Sequence, residues 1–201
     1  MLSRWTRSLA VLDAVMSPDW ELRYFSHDAE WDAGEQLASM RNGQGDDWSI
    51  TFSSAGVYLR GFDHESGSSP WARQPPRVAD GLLDGLPAVL RPAADEPAFT
   101  LEDVPMVTLA LWRLPEEEAW SHGPAAATGD GGVWLFDELD GRPESYVAFA
   151  REYHEREVRV EAVRRVYAHE PLTAELVRAL DPDAAVDDVL GELQGIGYPS
   201  A

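Results

Sequence analysis

Apolar residues at helical spacing open the chain. Leu2, Trp5, Leu9, Leu12 and Met16 predict an amphipathic helix that stops before Ser17-Pro18. Residues 20–26 read as extended, with Trp20, Leu22 and Tyr24 on one face. Gly34 and the Asn42-Gly43-Gln44-Gly45 turn bracket a short strand over 37–41. The clearest signal follows. Trp48, Ile50 and Phe52 alternate with Ser49, Thr51 and Ser53, which predicts a half-buried strand. Ser54-Ala55-Gly56 turns the chain, and 57–62 return as the partner strand of a hairpin.

From 61 to 103 the chain is rich in Gly, Pro and Ser, with one short helix expected near 85–90. Residues 106–113 are apolar on both faces, which predicts a central strand. An exposed loop of small residues is expected over 123–132, then a short strand over 133–136. The last third reads as helical. Pro143 suits a first helical position, and Tyr146, Phe149, Ala150 and Tyr153 form one apolar face, beside which His154 reads as a helix-surface residue. Val160, Val163 and Tyr167 continue the period. Thr173 can cap a helix carrying Leu176, Val177 and Leu180. Asp181-Pro182 can cap another, carrying Val186, Val189, Leu190 and Leu193 and stopping at Gly195 or Gly197. Strands first and helices last indicate an α+β fold: a largely antiparallel sheet, an N-terminal helix and a C-terminal group of helices. One domain over 1–201 is expected, with 143–197 its mostly helical portion.

Composition removes whole classes of chemistry. All sixteen bases are Arg, and Lys and Cys are absent. Without Lys there is no Schiff base, no pyridoxal-phosphate anchor and no phosphate-loop lysine. Without Cys there is no thiol nucleophile, disulfide or Cys-ligated metal cluster. A single Asn and two Ile point to a GC-rich genome, hence a bacterial source.

Acids outnumber bases 36 to 16, giving a net charge of −20. Residues 92–150 hold twelve acids and two bases, so that stretch alone carries −10 of it. Such a field repels a phosphate backbone, so no direct nucleic-acid binding is expected, whereas a basic protein partner would be attracted. Arg4 and Arg7 precede an apolar stretch as in a signal peptide, but Asp13 interrupts it. The apolar run 106–112 is far below the ~18 residues of a membrane span. A cytoplasmic setting with no membrane contact is expected.

Candidate chemistry concentrates in Gly61-Phe62-Asp63-His64-Glu65-Ser66, where a strand gives way to irregular backbone. Asp63, His64 and Glu65 are the candidate catalytic residues, with His64 as a general base oriented by a neighbouring acid. His64 could instead ligate a metal with Asp28 or Asp32. The structural alternative has Asp63 capping backbone amides and His64 pinning the loop. Arg41, Asn42, Ser66 and Trp71 are candidate binding residues. Residues 27–32 place carboxylates at alternate positions as a calcium loop does. Ala33 and Ser39 then stand where that loop requires Gly and Glu, so a solvated loop is expected. Trp31, Trp71 and Trp120 fall in regions read as loops.

Met40-Arg41-Asn42-Gly43, the hairpin, the GFDHES segment and the later PESYVAFAREY and HEPLT stretches together resemble a family of bacterial proteins. The resemblance runs from about residue 20 onward and implies a single-domain bacterial protein. It brings no activity, cofactor or catalytic residue with it. Two functions follow from the residues themselves. The first is a binding or regulatory protein acting through an acidic protein-interaction surface. The second is a metal-assisted hydrolase built on Asp63, His64 and Glu65.

Overall fold

The computed structural model describes residues 1–127 and 131–201. It is an α+β protein with an N-terminal helix, an antiparallel sheet and C-terminal helices. The chain divides into two compact units. A terminal unit joins Met1–Trp31 to Phe136–Ala201, and a central unit spans Asp32–Leu135.

In the terminal unit, α1 (Leu2–Met16) has the bounds that its period predicts. Its C-terminal half is buried almost all round, because α4 (Val160–Tyr167), α5 (Ala174–Leu180) and α6 (Val186–Ile196) pack on it. The preceding helix α3 (Pro143–Tyr153) begins on Pro143 as expected and packs on α4. Thr173 caps α5, its hydroxyl accepting from the Leu176 N–H at 3.2 Å. Gly197 ends α6 with φ +71, the left-handed conformation that favours glycine. Asp181 does not cap α6, which starts after Ala185. Its carboxylate instead accepts from the Asp183 N–H at 2.9 Å and closes a turn before the helix.

Of the stretch 20–26, residues 20–22 are not extended, whereas Phe25 and Ser26 are. Asp19 accepts from the Glu21 N–H at 3.0 Å and starts a 3-10 turn, Trp20–Leu22, whose Trp20 and Leu22 are exposed. The strand β1 (Phe25–Asp32) follows, so residues 27–32, Trp31 included, form a strand and not a solvated loop. Its outer half is exposed, which explains the acid-rich sequence there.

The central unit holds β2 (Glu35–Arg41), β3 (Asp47–Ser53), β4 (Gly56–Phe62), the two-residue strands β5 (Thr100–Leu101) and β6 (Val104–Pro105), and β7 (Leu109–Arg113). The main sheet runs β1-β2-β3-β4-β7, and its pairs β2–β3, β3–β4 and β4–β7 are antiparallel. Pairing of Ser53 with Gly56 fixes the expected hairpin. Strand β3 is buried on both faces, Ser49 and Thr51 included, where alternation predicted one wet face. The cause is the long 79–107 connection. Leu82, Leu86, Leu90, Ala94 and Val107 pack against Tyr58, Ala110 and Trp112 to form a second core over the sheet. The helix expected near 85–90 is a 3-10 turn, Ala88–Leu90, running into the one-turn α2 (Arg91–Ala94).

β7 is an edge strand and not a central one. That second core covers one of its faces, and Trp112 exchanges backbone hydrogen bonds of 2.9 and 2.8 Å with Ser121 across its open edge. Part of the 123–132 loop lies outside the described residues, yet its ends are buried and not exposed. A Cβ on Gly123 would stand 2.2 Å from the Gly81 carbonyl oxygen. After Gly131 and Gly132, Val133–Asp140 forms 3-10 helix interrupted at Leu139, where a strand was expected over 133–136. Among the described residues, no helix is long and apolar enough to cross a membrane.

Candidate functional site

At the end of β4 the chain turns on Asp63. Its Oδ1 accepts the backbone N–H groups of Glu65 and Ser66 at 3.0 and 3.1 Å, and its Oδ2 accepts the Trp134 indole N–H at 3.2 Å. The Asp63 N–H donates to Thr108 Oγ1 at 3.0 Å, and the Thr108 hydroxyl lies 2.7 Å from the Gly131 carbonyl. Asp63 therefore caps amides, and the cap also turns the chain so that His64 and Asp63 share one side.

His64 is oriented by Asp46 and not by the acids flanking it. The Asp46 carboxylate accepts both the His64 N–H, at 2.9 Å, and Nδ1, at 2.7 Å. Asn42 holds the other Asp46 oxygen through Nδ2 at 2.8 Å, and its own Oδ1 accepts from the Gln44 and Asp46 amides. The two side chains differ in exposure. The imidazole is 46% exposed and the carboxylate 7%. The Asp46 hydrogen bond holds the imidazole pKa above its ordinary value against a small desolvation, with help from the charges of Asp46, Glu65 and Asp63. Burial pushes Asp46 up, but the bonds from His64 and Asn42 outweigh it and leave the carboxyl lowered.

One ligand-capable atom from each of Asp46, Asp63 and His64 lies within 4.8 Å of the others. Glu65 is exposed beside them. Asp28 stands on β1 in the terminal unit and Asp32 at the last position of β1, where the central unit begins; each accepts a neighbouring backbone N–H. Asn42 belongs to the site as the clamp on Asp46. Arg41 is exposed at the end of β2, opposite Asp47. Ser66 is buried and its hydroxyl accepts from the Ser68 N–H, while Trp71 meets Phe62 edge-on at 6.3 Å. Next to Asp46, Asp47 pairs with the buried Arg60, whose guanidinium lies 4.1 Å from the Phe99 ring centroid.

The terminal unit holds a second histidine–aspartate pair. His154 is not on the helix surface. Its side chain is 9% exposed, and Nε2 lies 2.8 Å from Oδ1 of Asp13, which is fully buried. Asp13 Oδ2 also accepts the Tyr24 and Phe25 amides at 2.6 and 3.1 Å. Edge-on to that imidazole stand Phe149 and Tyr153, which stack on each other at 5.2 Å and meet Tyr24 at 4.8 and 4.7 Å.

No family model, curated protein or solved structure matches this chain.

The three rings line an open cavity of about 700 Å³ in the terminal unit, together with Asp137, Glu138, Asp140 and Glu152. Its lone base, Arg142, is committed: Nε donates to Asp140 at 2.7 Å, and Ser145 donates to the same carboxylate. Burial raises the Glu138 carboxyl above its ordinary value, and the charges of Asp137, Asp140 and Glu152 push the same way against its own backbone N–H. Neither Asp46 nor this cavity is singled out by the sequence reading above. Asp46 carried a signal, since it follows the Asn42 turn and opens β3. The cavity carried none, because Tyr24 comes from the other end of the chain.

Proposed function

We propose that this protein is a binding protein for a basic partner, and that the cavity of the terminal unit receives an arginine side chain of that partner. The observation that carries the reading is the pairing of acids with an aromatic wall around one concave space. Asp140 is balanced by Arg142, and no ion pair to Asp137, Glu138 or Glu152 is found among the described residues. A guanidinium would satisfy them and stack on Tyr153 or Tyr24, a cation–π arrangement worth about 0.5–2 kcal/mol. The Glu138 carboxyl, raised first by burial and then by the acids around it, supports the same reading, since a bound cation relieves a half-buried carboxylate. The net charge of −20 adds long-range attraction.

Isothermal titration with an arginine-rich peptide tests this. The Glu138→Gln/Glu152→Gln double variant is expected to bind about tenfold more weakly, roughly 1.4 kcal/mol. A charge-matched control, Glu116→Gln/Glu118→Gln, changes two exposed acids outside the cavity and is expected to bind nearly as wild type. Equal weakening by both doubles would reduce the interaction to the general acidic field.

A further inference from the structure

We infer that His64 and Asp63 form a divalent-cation site of the zinc or manganese class, with Asp46 as the residue that orients the imidazole. The inference rests on which lone pairs remain open. Asp46 Oδ1 already accepts two bonds from His64, and Oδ2 accepts one from Asn42. That carboxylate is buried and occupied, so its role is to hold the ring. Binding at Nδ1 leaves Nε2 as the open nitrogen of a half-exposed ring.

Metal-ligating histidines ordinarily donate their second ring N–H to a carboxylate, which fixes the tautomer and raises the basicity of the ligating nitrogen. Asp63 is fixed in the same sense. Two amides fill Oδ1, while among the described residues Oδ2 accepts the Trp134 indole alone and keeps a lone pair for a cation. A site of this kind needs two pre-oriented donors on a rigid support, and both are anchored at the end of β4 through Thr108 and Asp46. One ligand-capable atom of Asp63 and one of His64 lie within 4.8 Å of each other, and water would complete the shell. An imidazole with carboxylates suits zinc or manganese better than calcium or magnesium, which prefer oxygen alone. The site lies in the central unit and does not depend on the cation cavity of the terminal unit.

Titration of the full chain with zinc chloride and manganese chloride, followed by calorimetry at mildly alkaline pH, decides the matter. Wild type is expected to bind one ion saturably. His64→Gln, whose amide can still donate to Asp46, should lose that site, and Asp63→Asn should weaken it at least about tenfold. Asp46→Asn should weaken it about 10–100-fold through the misoriented ring. Far-UV circular dichroism of each variant confirms folding. No saturable binding to wild type would overturn the site, as would unchanged affinity in His64→Gln or in Asp63→Asn.

Discussion

Two histidine–aspartate pairs of nearly equal length stand in this protein, one in each unit, and their surroundings give them different work. In the terminal unit His154 and Asp13 are both buried, at 9% and 0% exposure. In the central unit Asp46 is buried but the His64 ring is 46% exposed. The Asp13 carboxylate ties α1 to the start of β1 and to the end of α3, so three segments distant in sequence meet on one side chain. Asp46 ties two neighbouring turns and leaves an open ring nitrogen pointing away from its partner. A hydrogen-bonded pair is thus a structural pin when both members are dry. It becomes a place for chemistry when one member faces water.

The largest effect should come from breaking the buried pair. Asp13→Ala strands an imidazole and two amides in the core. It is expected to cost at least about 3 kcal/mol in urea denaturation, since each buried donor left unsatisfied costs about 1–3 kcal/mol. Asp46→Ala should cost less, about 1–3 kcal/mol, because water can reach the half-exposed imidazole it leaves behind. If the two losses were equal, the contrast between pin and open site would fail.

A smaller effect lies in the pH dependence of stability. The His64 pKa is raised above 6.5, so the folded state holds this proton more tightly than the unfolded chain. Its contribution is fully present below 6.5 and is lost as pH rises through the higher folded value. Asp46 is lowered below 3.8, so its contribution is present above 3.8 and is lost as pH falls through the lower folded value. The pair therefore stabilises most between those limits. The melting temperature of wild type relative to His64→Gln should fall as pH rises past 6.5, and a flat difference would remove the pair from the account.

The smallest expected effect concerns Glu138. Its raised pKa means that acidification neutralises it before ordinary carboxylates. Affinity for an arginine-rich peptide should weaken as pH drops toward that value. Glu138→Gln should flatten the early part of the slope while leaving the remainder.

Much of this architecture is legible in the residues. The period of Leu2 to Met16 gives α1 its bounds, and alternation from Trp48 gives the hairpin. Asp63 as an amide cap follows from its place after a strand. What escapes is what depends on distant partners. His154 looks like a surface residue because its partner Asp13 lies 141 positions away. β7 looks central because the cover on one of its faces comes from 79–107, a stretch whose Gly and Pro hide its buried leucines. The terminal unit is built from both ends of the chain, so no composition shift marks it. His64 was visible as a candidate, whereas its true orienting acid sits 18 residues earlier across the hairpin.

The central claim is that a basic partner is received in the cavity of the terminal unit. Backbone amide chemical shifts, recorded as an arginine-rich peptide is added, test it most directly. Shifts are expected to concentrate at Tyr24 and over 137–153 and to saturate with a single affinity. Shifts spread evenly over the exposed acids of 92–118, with the cavity residues unmoved, would contradict it.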